Sequence, residues 1–429
     1  MTMQAPTSRP NIVYLHSHDT GRYVAPYGHA MPTPNIQRLA EQGTLFRRAF
    51  SAAPTCSPSR AALFTGSHPH QNGMLGLTHR GFELNDGTQH LVGLLGGAGY
   101  RTVLAGLQHI STDVDRIGYD EVSTVQSHRV EHVAPAAVDF VDRGLSEPFF
   151  LDVGFFETHR PFPAPDGENP DFLAPPVPLP DTSEVRTDMA GYRRSVRTLD
   201  EGIGAVLDAL EANGLSERTL VICTTDHGIA FPQMKCNLTD AGIGVMLIMR
   251  GPGGFTGGGV VDAMVSQIDL LPTVCDLAGI EPPVGLAGHP LGPLVRGETD
   301  GVHDEIFAEV SYHAAYEPQR CVRTDRWKYI RRFDHRASRV YPNCDAGPSK
   351  ALLEKEGWDQ QPRPDEMLYD LVFDPNETNN VIDEPYAAAQ ATDLRARLDR
   401  WMQDTADPLL HGPVPAPAGA KIDSADKTT

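Results

Sequence analysis

Short, almost wholly apolar segments alternate with amphipathic helical stretches along the first two-thirds of the chain, and this alternation constrains the fold more than any other feature. Residues 11–15, 45–50, 102–105, 149–153, 219–224 and 245–249 read as buried strands. Between them fall a helix begun by Thr33 and Pro34 and stopped by Gly43, and helices near 90–98, 136–143 and 268–278. The longest helical stretch carries Tyr192, Val196, Leu199, Ile203, Val206 and Leu210 three or four residues apart, one face of an α-helix, and Gly214 stops it. Strands without a polar face need cover on both sides. The pattern therefore predicts an α/β fold, a large mixed, mostly parallel sheet with helices on both faces. From about residue 300 it changes to short strands (306–309, 319–323, 327–331) and a closing helix with Leu394, Leu398 and Trp401. This predicts a large unit over 1–300, a smaller α+β unit over 301–410, and a loose tail over 411–429, rich in Pro, Ala and charge.

In open α/β sheets, ligands bind beyond the carboxyl ends of the strands. The first strand runs into His16, Ser17, His18 and Asp19, and the strand at 219–224 into Asp226 and His227. The strands at 45–50, 102–105 and 149–153 lead to Cys56, to His109, and to Glu157 and His159. One Asp or His after a strand is more often a turn former or helix cap than a ligand. Five such strand ends point to one shared crevice.

Composition narrows the partners. With 36 basic and 56 acidic side chains the net charge is −20, which repels nucleic acid and anionic lipid, so neither is an expected partner. A small anionic substrate remains admissible, because a local cationic pocket overrides the global field. The 40 glycines and 36 prolines predict many connecting loops. The longest apolar runs fall far short of the ~18 residues a membrane span needs. Residues 1–10 hold no apolar signal region, which sets the expectation of a cytoplasmic protein. The six cysteines are scattered without a CxxC pair and read as small core residues, Cys56 apart.

Residues 56–66 read Cys56-Ser57-Pro58-Ser59-Arg60, then Ala-Ala-Leu-Phe, then Thr65-Gly66. A lone buried thiol is usually a core residue. An arginine and two hydroxyls beside a proline turn are not what a core needs. The segment resembles the signature of the formylglycine-dependent sulfatases, in the alkaline phosphatase superfamily. In that family a maturation enzyme oxidises the cysteine to formylglycine (3-oxoalanine), and the hydrated aldehyde is the nucleophile. A helix amino terminus favours an anion at that position, and Arg60, one turn on, is in reach of the hydrate oxygens. His18-Asp19 takes the place of the family's opening acidic pair. Thr224-Thr225-Asp226-His227-Gly228 resembles its second metal segment, and Lys235 stands where a sulfate-binding lysine is expected. Gly106-Leu107-Gln108-His109 resembles the segment that supplies a catalytic histidine, and His159 matches a second sulfate-contacting histidine. Residues 367–371 and 374–380 resemble the family's carboxyl-domain segment. Within the family, residues 70–74 and 228–232 look most like the sulfamidases, the N-sulfoglucosamine sulfohydrolases.

The resemblance implies hydrolysis of a small sulfate ester or sulfamate. It assigns Cys56, Arg60, His109, His159 and Lys235 to the chemistry, and Asp19, Asp226, His227, His18 and residue 56 to one divalent metal ion. Imidazole suits Mn²⁺ and similar ions better than Ca²⁺, so Mn²⁺ is favoured and Ca²⁺ stays open. Leu107 replaces a lysine of the family, leaving the sulfate pocket one positive charge short. The Asp-His pair also resembles phosphonate monoester and phosphodiester hydrolases with the same nucleophile, the alternative reading. Further candidates are His70 and Asn72 beside the cleft, and Tyr312, His313 and Arg320–Arg323 reaching it from the second unit. Arg326, Lys328, Arg331 and Arg332 read as a solvated strand face.

Overall fold

A computed structural model describes residues 9–427. Most of the amino-terminal stretch read for a leader, residues 1–8, lies outside the described residues. The strands are β1 (Asn11–Ser17), β2 (Thr44–Phe50), β3 (Arg101–Gly106), β4 (Glu121–Val122), β5 (Phe149–Gly154), β6 (Thr219–Thr225), β7 (Gly244–Val245), β8 (Leu247–Arg250) and β9 (Gly259–Ser266). They form one sheet in the order β4-β3-β5-β1-β6-β8-β2-β7, with β9 also paired to β2. Only β7 and β8 among these run against the rest, as the pairings of β8 with β6 and β2 require. The sheet is therefore mixed and mostly parallel, as expected. Because β1, β2, β3, β5 and β6 run the same way, their carboxyl ends share one edge.

Alternation along β1 shows why both faces need helices. Val13 and Leu15 pack with the helices Pro34–Gln42, Val130–Asp142 and Ser183–Ala212 on one face. Ile12 and Tyr14 pack with Cys56–Thr65, Leu91–Gly97 and Leu270–Ala278 on the other. The six apolar residues read as one helical face, from Tyr192 to Leu210, are all buried.

Three local readings change. The single strand expected at 245–249 is broken at Met246, whose N–H leaves the ladder and donates to Gly21 O at 2.8 Å. The helix expected from 136 begins at Val130, with Pro135 inside it. Its first amide is capped by Glu157 Oε2 at 3.0 Å, a partner 27 residues away. Strand β9 was not anticipated; it enters the sheet through exposed residues and is buried only over its last three.

The second unit is an antiparallel sheet of β10 (Glu305–Tyr312), β11 (Tyr316–Thr324), β12 (Trp327–Arg332) and β13 (Glu366–Asp370), in that order. One face packs on the helix Ala388–Asp404 through Leu394, Leu398 and Trp401. The other meets the first unit, with Ile306, Val310 and Ile330 against Phe50, Leu238 and Ile243. Of the four basic residues read as a solvated strand face, Arg326 is half exposed and Arg331 partly so, but Lys328 and Arg332 are buried. Lys328 is fully buried, 2.5 Å from Asp240 and 2.9 Å from Glu377, and Arg332 pairs with Glu317 at 3.1 Å.

The tail is docked, which corrects the expectation of a loose segment over 411–429. Tyr312 donates its hydroxyl to Val414 O at 2.6 Å, and Asp423 N–H donates to Ala314 O at 2.9 Å. Lys421 N–H donates to Arg80 O, while Arg80 holds Lys421 O at 2.9 Å and Asp423 at 3.2 Å. Ala416, Ala420 and Ile422 lie against the first unit's core. Among the described residues, no helix is long and apolar enough to cross a membrane.

Candidate active site

Cys56 is the first residue of a ten-residue helix buried along its whole length. Thr55, in extended backbone, caps none of the helix's first amides with its side chain. The Cys56 thiol lies 3.4 Å from His227 Nε2 and 3.9 Å from Asp19 Oδ1. Burial pushes its pKa well above the usual thiol value, so the unmodified side chain is a neutral thiol and a poor nucleophile.

Two carboxylates face it. Asp226 Oδ1 accepts from the Asp19 and His227 amides at 2.8 and 2.9 Å, which fixes its plane. Its Oδ2 lies 3.0 Å from Arg60, 3.3 Å from His18 Nδ1 and 3.7 Å from His227 Nε2. Burial raises the Asp226 pKa, but His227, Arg60 and His18 outweigh it and hold the carboxyl well below the usual range. Asp19 adopts φ 52°, which turns its carboxylate inward, 3.3 Å from His227 Nε2 and 2.9 Å from Lys235 Nζ.

The donor set fits a divalent cation. His227 Nδ1 is 3.0 Å from Gly228 O; a carbonyl only accepts, so Nδ1 carries the proton and Nε2 presents its lone pair to the carboxylates. His18 is buried and neither ring nitrogen has a hydrogen-bond partner. His18, Asp19, Cys56 and Asp226 offer ligand atoms all within 4.8 Å of one another. Two carboxylates, two imidazoles and a sulfur in a buried cluster are a metal-binding chemistry of the mixed N/O type.

A ring of further groups surrounds the cluster. His109, with φ 56°, brings a nitrogen within 4.8 Å of Cys56 Sγ, and its Nε2 lies 3.2 Å from His79 Nδ1. His159 Nε2 lies 3.4 Å from Lys235 Nζ. The next residue, Arg160, clamps Asp188 with two bonds of 2.7 Å, and Asp188 accepts from Ser349 at 2.6 Å. Lys235 bridges the two units, 2.9 Å from Asp19 and 2.9 Å from Asp345. Burial lowers its pKa, and the two carboxylates more than restore it, so it stays an ammonium.

All nine residues singled out in the sequence converge here. Arg60, however, spends its guanidinium on Asp226, Ser17 O and His16. Asp345 and Asp152 carry no signal in the sequence, His79 reads there as a loop histidine, and His16, noted at the end of the first strand, has no role assigned to it. Above the cluster opens a cleft of about 720 Å³ walled by Leu107, Phe156, His313, Lys350 and the docked tail through Asp423 and Lys427. His313 thus reaches the cleft, as expected. Other expectations are corrected. His70 turns away to Glu309, 2.9 Å off, and Asn72 donates to Thr65 at 3.1 Å. Tyr312 bonds the tail, Arg320 is buried between Glu309 and Asp407, and Arg323 pairs with Asp240. Glu157 caps a helix rather than entering the cleft.

Comparison with known proteins agrees with this geometry. Residues 10–280 match the family model "Sulfatase", and residues 234–345 match "N-sulphoglucosamine sulphohydrolase, C-terminal". The chain is 29% identical to human N-sulphoglucosamine sulphohydrolase, over 95% of this chain and 92% of that protein. It is 26% identical to a delta 4,5-hexuronate-2-O-sulfatase of Bacteroides thetaiotaomicron, over 93% and 90%. A solved 2-O GAG sulfatase shares the fold with a TM-score of 0.74 at 22% identity, over 95% of each chain. The chain belongs to the sulfatase family of sulfuric ester hydrolases.

Proposed function

We propose that this protein hydrolyses a sulfate ester or sulfamate of a small, sugar-like molecule. In this reading it uses formylglycine made from Cys56 and a divalent metal, Mn²⁺ before Ca²⁺. The observation that carries the reading is the place of Cys56 Sγ, at a buried helix amino terminus and 3.4 Å from His227 Nε2. Its relatives include a sulfamidase and a uronate 2-O-sulfatase, which supports a saccharide substrate. A maturation enzyme supplies the converted side chain, and the cytoplasm is the proposed compartment, which fractionation of the native host tests.

Asp19, Asp226, His227 and His18 would hold the metal, and residue 56 faces it. When bound, such an ion supplies Lewis acidity and eases loss of a proton from a hydroxyl. The rest is the work of the chain's own groups. The helix amides behind residue 56 favour negative charge there. Lys235 Nζ presents a permanent positive charge to the transferring group, the electrostatic share of the stabilisation. His159 Nε2 and the Lys235 ammonium, 3.4 Å apart at the cleft wall, form the pair from which the leaving oxygen or nitrogen takes its proton: Lys235 carries it, and His159 Nε2 is placed to relay it. His109, whose Nε2 meets His79 Nδ1, has a ring nitrogen close enough to residue 56 to take a proton there. Leu107 and Phe156 keep water from the reacting group. Arg60, occupied by Asp226, acts on the metal ligand rather than directly on the substrate.

Two measurements test this. Intact mass of protein from its native host should show a loss of about 18 Da at residue 56, the signature of conversion. Turnover with Mn²⁺ or Ca²⁺ should be faster on an aryl sulfate or glucosamine N-sulfate than on an aryl phosphonate or a phosphodiester. An unmodified thiol, or preference for the phosphorus substrates, overturns the reading.

A further inference from the structure

A buried polar chain lies behind the nucleophile helix and ends on a metal-ligand candidate. His16, at the end of β1, stacks on Tyr14 with ring centroids 4.6 Å apart. Its register partner on β5 is Gly154, and only a glycine leaves room for the ring: a Cβ there would stand 2.6 Å from His16 Cε1. His16 Nε2 lies 2.8 Å from Asp152 Oδ1, and Asp152 Oδ2 accepts from the Tyr119 hydroxyl at 2.6 Å. His16 Nδ1 faces Arg60, which donates to Ser17 O at 2.7 Å and to Asp226 Oδ2 at 3.0 Å.

The proton positions follow from the chemistry of the partners. A guanidinium has donors only and stays charged, so His16 Nδ1 must accept. The ring proton is then on Nε2, donated to Asp152. The result is a neutral imidazole locked in one tautomer between a carboxylate and a guanidinium. Arg60 Nε has no partner, so the guanidinium is aimed by His16 on one side and by Ser17 O and Asp226 on the other. Asp226 Oδ1 is already committed to two amides, so Arg60 governs the remaining oxygen, the one nearest His18 and His227.

We propose that His16 and Asp152 are positioning residues for the metal site: through Arg60 they fix the direction in which Asp226 Oδ2 points. The inference rests on the reading of Asp226 as a metal ligand. A core alone would not favour this set. Burying a carboxylate and an imidazole is costly where apolar residues of similar volume would pack, so the polar chain needs a use.

The test is Mn²⁺ binding to full-length, chelator-stripped protein, followed by calorimetry, with the melting temperature measured alongside. His16→Phe keeps the ring volume and the stack on Tyr14 but offers Arg60 no acceptor; Mn²⁺ affinity should fall about 10–100-fold, as for other partners of metal ligands. Asp152→Leu should behave likewise, and it serves where His16→Phe does not fold. Asp152→Asn can accept from His16 with its oxygen and donate to Tyr119 with its amide, so it should bind Mn²⁺ as the wild type does. That rescue is what a merely structural role would not give, since affinity would then track melting temperature across all three variants. Wild-type Mn²⁺ affinity in His16→Phe or Asp152→Leu overturns the inference alone. A wild-type protein that binds no divalent ion overturns the metal reading and this inference with it.

Discussion

Replacing Arg320 by methionine probes the joint between the two units. The guanidinium is fully buried, and its Nε and one terminal nitrogen hold Asp407 at 2.6 and 3.1 Å. It also lies 3.0 Å from Glu309, and the other face of Glu309 takes the backbone amide and Nδ1 of His70, each at 2.9 Å. Methionine fills most of the volume but leaves two buried carboxylates with one imidazole between them. Breaking a buried pair from one side costs about 3–5 kcal/mol. The pH dependence sharpens the test. Burial raises the Glu309 pKa, but His70 and Arg320 more than offset it and lower it to about 2 from 4.5. In the wild type this carboxylate therefore stabilises the fold above pH 4.5, and the contribution is lost as pH falls from 4.5 toward 2. Without Arg320, burial is opposed chiefly by His70, so the folded pKa rises from about 2. The variant's native state then takes up its proton at a higher pH than the wild type's, so the deficit, full at pH 7–8, should shrink as pH falls below 4.5. Urea unfolding followed by fluorescence at pH 8 and pH 3 measures it. A deficit under about 1 kcal/mol, or one identical at pH 8 and pH 3, would refute the reasoning.

Cys56→Ser should fold and show no multiple turnover of an aryl sulfate, since serine cannot be an aldehyde hydrate; rapid steady-state turnover would defeat the assigned nucleophile. His68 is held neutral by burial and by His70, its pKa lowered from 6.5 to about 3. Unfolding exposes a group that protonates below 6.5, so acidification from 6.5 toward 3 should cost up to about 5 kcal/mol, and His68→Gln should flatten that slope of urea midpoint against pH. In Gly154→Ala the new Cβ would stand 2.1 Å from Leu107 O, so a loss of about 1–3 kcal/mol is expected in unfolding experiments; an unchanged midpoint would show that the strand ends yield freely. Deleting residues 413–429 removes Asp423 and Lys427 from the cleft wall. Helical content by circular dichroism should persist while KM shifts, and an unchanged KM would mean the tail does not bound the substrate.

The large sheet was legible because its strands are nearly continuous apolar runs, and burial on both faces leaves such runs few alternatives. The candidate site was legible because its His, Asp and Cys residues follow strand ends directly, where a parallel sheet gathers them whatever the loop lengths. Less was legible wherever a residue's partner is distant in the chain. The helix expected from residue 136 starts instead at Val130, whose amide Glu157 caps from far along the chain. Lys328 and Arg332 alternate like a solvated face until Asp240 and Glu317 are seen beneath them.

By itself, then, the order of residues determined the sheet, the helix that begins at Cys56 and the gathering of His, Asp and Cys side chains at one sheet edge, since local pattern and strand direction are enough to specify them. Only the tertiary structure decided that Asp345 shares Lys235 with Asp19, that His16 and Asp152 stand behind Arg60, and that the tail closes the cleft. Each is a contact between segments far apart in sequence. Its strength comes from burial and from the geometry of the partner, and neither is written in the spacing of residues along one segment.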